Sequence, residues 1–125
     1  MNSFSRREAF LLGRQAENAA GLFLQEAGFK IVRRNLRLAG GELDLVAWDG
    51  PILVFVEVKA GKSRNVADSL SAIDQPKRKR LLSAAQAFLA KERINAHCRF
   101  DAVVVDMSGE KAICHLWRDA FRADE

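Results

Sequence analysis

The sequence predicts an α/β domain with the element order α-β-β-β-α-β-β, a mixed β-sheet flanked by helices. Three observations predict it. Two segments carry apolar residues at helical spacing, around residues 5–27 and 76–89. Short runs rich in β-branched and aromatic residues fill the rest. The pairs Asp49-Gly50 and Ser108-Gly109 mark two hairpins between such runs. At 125 residues the chain is read as a single domain, 1–125, large enough to bury a core.

Ser5-Arg6-Arg7-Glu8 has the form of a capping box and starts the first helix. The helix runs to Ala27 and stops at Gly28. Phe10, Leu12, Ala16, Ala20, Phe23, Leu24 and Ala27 share one arc of it. Glu17 lies inside the edge of that arc beside Gly13, Ala20, Gly21 and Leu24, so the helix turns this carboxylate toward the protein. Phe29 to Leu38 reads as a partly polar first strand, Glu42 to Trp48 as the second and Pro51 to Lys59 as the third. From Ala60 to Asp74 the chain is polar and aperiodic, which predicts a long loop. Pro76 opens the second helix, whose inner face is Leu81, Leu82, Ala85, Phe88 and Leu89. Arg99 to Asp106 and Lys111 to Trp117 complete the sheet as a final hairpin.

Apolar content is 49% and charged content 29%, ordinary for a globular protein. The net charge is +4 and the pI about 9.4, which hints at an anionic partner, most simply nucleic acid. No apolar run is long enough to span a membrane. Ser5-Arg6-Arg7 resembles a twin-arginine signal, but Gly13, Arg14, Gln15, Glu17 and Asn18 interrupt any signal-peptide core. Two cysteines, Cys98 and Cys114, make no disulfide framework. A cytoplasmic location is the expectation.

The chemistry concentrates in two apolar strands. Glu42 and Asp44 stand in Gly41-Glu42-Leu43-Asp44-Leu45-Val46, and Glu57 and Lys59 in Val54-Phe55-Val56-Glu57-Val58-Lys59. A buried carboxylate costs several kcal/mol (about 3–5 when unpaired) without a partner. Strand side chains alternate, and a two-residue loop at Asp49-Gly50 pairs Trp48 with Pro51. That register sets Glu42 opposite Glu57 and all four polar residues on one face. Carboxylates so placed repel, and a divalent cation removes the repulsion while using the same oxygens. Lys59 beside it could steady a phosphate oxygen, a set of parts suited to phosphodiester hydrolysis. The competing reading is a solvated sheet face. Leu53 and Phe55 share the face with Glu57 and argue that it is covered.

These segments, the helix carrying Glu17, and Arg99-Phe100-Asp101 resemble the YraN-type family of bacterial proteins, predicted endonucleases of the PD-(D/E)xK nuclease superfamily similar to archaeal Holliday-junction resolvases. The resemblance covers nearly the whole chain in order. It implies a restriction-endonuclease-like core and Mg2+- or Mn2+-dependent cleavage of DNA, branched or structured forms included. It implies that Asp44 and Glu57 are metal ligands with the Val58 carbonyl, that Lys59 is the motif lysine, and that Glu17 serves near the metal. Glu42 matches the family pattern without an assigned role. Gln75 lies where many such nucleases carry a polar residue at the second core helix. A homodimer follows only by analogy with the resolvases. Two departures stand out. Leu43 replaces the proline that named the motif. Ala60-Gly61-Lys62 follows Lys59 without the usual hydroxyl-arginine pair, and the loop lacks Phe-Gly near Asn65-Val66. A non-catalytic nucleic-acid-binding module on the same fold is the alternative function.

Lys77-Arg78-Lys79-Arg80 begins the second helix, where positive charge opposes the helix dipole. The row reads either as a solvated basic face or as a phosphate-binding one. Beside the acidic cluster the second reading is preferred, with Lys62, Arg64, Arg33, Arg34 and Arg37 extending the footprint. His97-Cys98 and Cys114-His115 lack zinc-ligand spacing. Trp48 and Trp117 read as packing residues, and Asp101 either pairs with a basic neighbour or supports the site.

Overall fold

In the computed structural model, Ser5 caps α1 (Arg6–Glu26), its hydroxyl accepting from the Glu8 N–H at 3.1 Å while Glu8 reaches back to the Ser5 N–H at 3.4 Å. The model describes residues 5–61 and 73–122. Lys62, Arg64 and most of the predicted loop lie outside the described residues. The helix closes in a Schellman motif: Gly28 at φ +99° and the Phe29 N–H bonded to the Leu24 carbonyl at 2.9 Å. α2 (Gln75–Glu92) starts one residue before Pro76, with Asp74 as the cap that accepts from the Lys77 N–H at 3.1 Å.

The strands are β1 (Lys30–Leu38), β2 (Gly41–Asp49), β3 (Ile52–Ala60), β4 (Cys98–Asp106) and β5 (Ile113–Phe121). They lie in that order in one sheet, antiparallel except for the β3–β4 pair, which is parallel. The parallel step requires a crossover, and α2 lies within it. β3 and β4 are inner strands with both faces covered, which is why their sequences are nearly continuous apolar runs. On one face, Ala16, Ala20 and Leu24 of α1 pack on Leu45, Ala47, Val54, Val56, Val103 and Val105. On the other, Leu81, Ala84, Ala85 and Phe88 of α2 pack on Leu43, Val46, Leu53, Phe55 and Phe100. Phe55 meets Phe88 edge-on at 6.2 Å, and Phe100 stacks on Phe121 at 4.8 Å.

Three expectations need correction. Phe10 is 60% exposed and Ala27 is exposed too, so the buried arc of α1 starts at Ala16. Trp117 lies half-exposed on the edge strand β5. The hairpin turn is Gly50-Pro51, closed by Asp49 opposite Ile52. Gly50 supplies a left-handed φ of 59°, and Pro51, having no N–H to give a ladder, belongs in the loop. The register therefore moves by two residues, and Leu45 faces Val56.

Strict alternation also fails in one place. Leu43 packs in the α2-side core and Leu45 in the α1-side core, although alternation would put them together. Their partners on β1 change face with them: Leu36 packs toward α2, and the Arg34 guanidinium lies against Gly21 of α1. Asn35, between those partners, has a left-handed φ of 50°, a conformation Asn tolerates better than most residues. Asn35 and Asp44 thus stand level where both strands turn over.

Asp101 is fully buried and structural. It accepts two bonds from Arg99 at 2.8 Å and one from the Asp119 N–H at 2.9 Å, while Arg99 also reaches Asp49 at 2.8 Å. Asp101→Ala removes two of the three carboxylate bonds of a part-buried guanidinium and leaves the Asp119 N–H unmet, and we expect a loss of about 3 kcal/mol in urea unfolding. None of these groups lines the cleft between β1–β2, β3 and α2.

Candidate functional site

The strand switch opens a cleft of about 590 Å³ between the β1–β2 turn, β3 and the first turns of α2. Its walls include Glu42, Asp44, Glu57, Arg37, Lys77 and Arg80. Gly41 lets α2 come this close, since a side chain there would run into the Arg80 carbonyl.

Asp44 sits where β2 parts from β3. The ladder between them ends at Leu45 opposite Val56, and beyond it the Val58 N–H donates to Asp44 Oδ2 at 2.8 Å. A strand residue's N–H and C=O point to the same side, so the Val58 carbonyl faces the same gap. Glu57 projects toward α2 and is almost fully buried. Lys77 reaches it from α2 at 2.6 Å and Lys59 from its own strand at 3.5 Å, both onto Oε1.

The electrostatics follow from this crowding. Burial, and then the nearby Glu57, push the Asp44 carboxyl up to about 8, against a lowering by the Val58 N–H. Burial also raises Glu17, partly offset by Asn35 and Arg14. Glu17 Oε1 is buried without a hydrogen bond, with Arg14 at 4.0 Å. Burial and the neighbouring Lys77 lower Lys59, against a pull from Glu57. For Lys77, burial is outweighed by its bonds to Glu57 and Lys59 and by the Glu57 charge, and the pKa is raised from the ordinary lysine value.

The structure brings Asp44, Glu57, Val58, Lys59 and Lys77 together. Glu17 lines a neighbouring hollow with Asn35, and Glu42 and Arg37 border both spaces. Glu42 is exposed and lies 3.9 Å from Arg37, so it is a rim residue rather than part of a single acidic face. Gln75 and Lys79 are exposed on the first turns of α2, and Arg80 lines the cleft. Arg78 donates to the Ile73 carbonyl at 3.0 Å and lies over the Phe121 ring. Arg33 is engaged with Glu92 at 2.7 Å and Arg34 with α1, which leaves Arg37 as the β1 arginine on the cleft wall. Asn35 went unread in the sequence, although an asparagine inside a strand is a depleted type and a signal of irregularity.

Two carboxylates and a backbone carbonyl are hard oxygen donors, the kind that suit Mg2+ or Mn2+. Among the described residues, no group of three or more His, Cys, Asp or Glu side chains could hold a metal ion. Mg2+ sites commonly use one or two carboxylates and complete their shell with water or substrate phosphate.

Fold and site together define a small α/β protein with a carboxylate–lysine cleft where β2 parts from β3. Residues 16–105, which span every described site residue, match the model of Uncharacterised protein family UPF0102, and the chain belongs to that family. A UPF0102 protein of Xanthomonas euvesicatoria pv. vesicatoria is 46% identical over 115 residues, covering 90% of this chain and 93% of the relative. One of Alcanivorax borkumensis is 37% identical over 115 residues, covering 90% and 92%. One of Herminiimonas arsenicoxydans is 38% identical over 96 residues, covering 77% of each. Among the described residues, no helix is long and apolar enough to cross a membrane.

Burial of Asp44 makes stability pH-dependent. Its folded-state pKa of about 8 lies above the ordinary 3.8, so the folded chain holds a proton that the unfolded chain releases. This contribution is fully present below about pH 4 and is lost as pH rises through about 8. Asp44→Asn keeps an acceptor for the Val58 N–H and removes the charge. In EDTA, the variant's melting temperature relative to wild type is expected to climb by several degrees between about pH 5 and pH 9. Parallel melting curves across that range would sink this account.

Proposed function

We propose that this protein is a metal-dependent endonuclease that hydrolyses phosphodiester bonds in DNA, branched or structured DNA included, on a PD-(D/E)xK-type core. The observation that carries the reading is the meeting of Asp44, Glu57 and the Val58 backbone at the strand parting, with Lys59 beside them. The chemistry of the donors supports it. Two carboxylates drawn together in a half-buried cleft leave Asp44 protonated near neutrality, and a divalent cation is the partner that relieves this. Asp44, Glu57 and the Val58 carbonyl would hold Mg2+ or Mn2+. When bound, the metal would lower the pKa of a water and polarise the phosphate.

The rest is the chain's own work. The Val58 N–H orients Asp44. Lys59 offers an ammonium to the charge that develops on the phosphate. Arg37 and Arg80 on the cleft walls would take flanking backbone phosphates, where contacts fix position without reading sequence. Glu17 would act from the neighbouring hollow through its unsatisfied oxygen. Similarity to the resolvases suggests a two-fold substrate and a homodimer.

A specific observation favours the alternative, a nucleic-acid-binding module without cleavage. Glu57, the proposed ligand, is already engaged by two lysines. One assay separates the two. Purified protein is incubated with Mg2+ or Mn2+ and a panel of linear, flapped and four-way DNA. We expect cleavage of at least one form, reduced by about 10²-fold or more in Asp44→Ala, Glu57→Ala and Lys59→Met. Salt-sensitive binding that survives Asp44→Ala and Glu57→Ala, with no cut product from wild type, would select the binding module.

A further inference from the structure

Lys77 occupies an unusual position for the start of a helix. The Asp74 cap accepts its N–H at 3.1 Å and fixes it in the first turn of α2, where a cation opposes the helix dipole. Its side chain crosses the cleft to β3 and places Nζ 2.6 Å from Glu57 Oε1. Lys59 Nζ stands 3.5 Å from the same oxygen. The contact is a shielded one, with the Lys77 side chain 27% exposed and that of Glu57 6%. Asp44, the other proposed ligand, is held by a backbone N–H, and Lys77 contributes to its field as well.

We propose that Lys77 is a resident counter-cation for Glu57 that competes with the divalent ion for that carboxylate and swings off it into the cleft when the ion binds. This rests on the metal-dependent reading above. An ammonium 2.6 Å from Oε1 occupies one of the two oxygens that an inner-sphere cation would use, and two cations on one carboxylate repel. Lysine suits the part, being a compact charge on a flexible four-carbon stem. The open volume beside it, bordered by Arg80 and Leu81, gives the stem somewhere to go. The pair therefore keeps a nearly buried carboxylate compensated in the metal-free protein, and metal loading carries the work of displacing it.

The test is Mn2+ affinity by calorimetry at one pH, on wild type, Lys77→Met, Lys77→Gln, Lys77→Arg and Lys79→Met, each verified as folded by circular dichroism. Lys79 is the exposed charge control two residues away. Lys77→Met or Lys77→Gln is expected to bind Mn2+ about tenfold more tightly than wild type. Lys77→Arg, which keeps a charge, and Lys79→Met are expected to stay within about threefold. The metal-free melting temperature of Lys77→Met should fall, while its rise on adding Mn2+ should exceed that of wild type. If wild type binds Mn2+ and neutral Lys77 variants match Lys79→Met or bind more weakly, the role of Lys77 is overturned while the metal reading stands. If none of the five proteins binds Mn2+, both are overturned.

Discussion

The shape of the cleft depends on one backbone event, the simultaneous change of face by β1 at Asn35 and β2 at Asp44. A regular pair of strands would have kept Leu43 and Leu45 in the same core and left Asp44 on a flat face. Instead the left-handed φ at Asn35 turns β1 over, and β2 follows through its register. β2 pairs with β3 only from Leu45 onward, and the Val58 N–H is left without a ladder partner. Asp44 accepts it. An unmet buried N–H would cost about 1–3 kcal/mol, so the carboxylate is doing structural work at the place where its charge is least comfortable. Asn35 also borders the hollow of Glu17, so one irregularity organises both sides of the sheet bend.

Much of this architecture was legible in the chain. The Ser5–Glu8 capping box, the Gly28 stop and the order of strands and helices rest on local chemistry that acts over a few residues. The acidic cluster was legible too, since carboxylates inside apolar strands demand a reason. What could not be read was long-range geometry. Asp49-Gly50 and Gly50-Pro51 are both competent two-residue turns, and the choice depends on how β2 and β3 pair along their whole length. Parity counting then placed the four polar residues on one face by an argument that assumes no irregularity, and Asn35 supplies one. The cluster survives because the two departures act in compensating ways: the register shift moves Glu57 from Glu42 toward the level of Asp44, and the face switch carries Glu42 to the rim.

Lys77 shows a different limit. In sequence it is one of four basic residues, and nothing local separates it from Lys79. The separation comes from the roll of α2 on the sheet, set by Leu81, Ala84, Ala85 and Phe88 below and by the close approach of Arg80 to Gly41. That packing directs Lys77 to Glu57, Arg78 to the Ile73 carbonyl and Phe121, and leaves Lys79 exposed. A basic run that looks like one surface is thus three different environments.

On the proposed reading, the balance of charge in the cleft sets stability against chemistry. Asp44 and Glu57 can both be ionised only if enough positive charge stands beside them. Lys77 and Lys59 stand on Glu57, while burial and the nearby Glu57 push the Asp44 carboxyl up. Replacing these groups with apolar ones would give a more stable sheet, because paired buried charges rarely repay their desolvation. On the metal-dependent reading proposed above, two carboxylates and two lysines at a strand parting form an arrangement that a divalent cation would relieve. The cleft beside it, edged by Arg37 and Arg80, is where an anion would meet that cation.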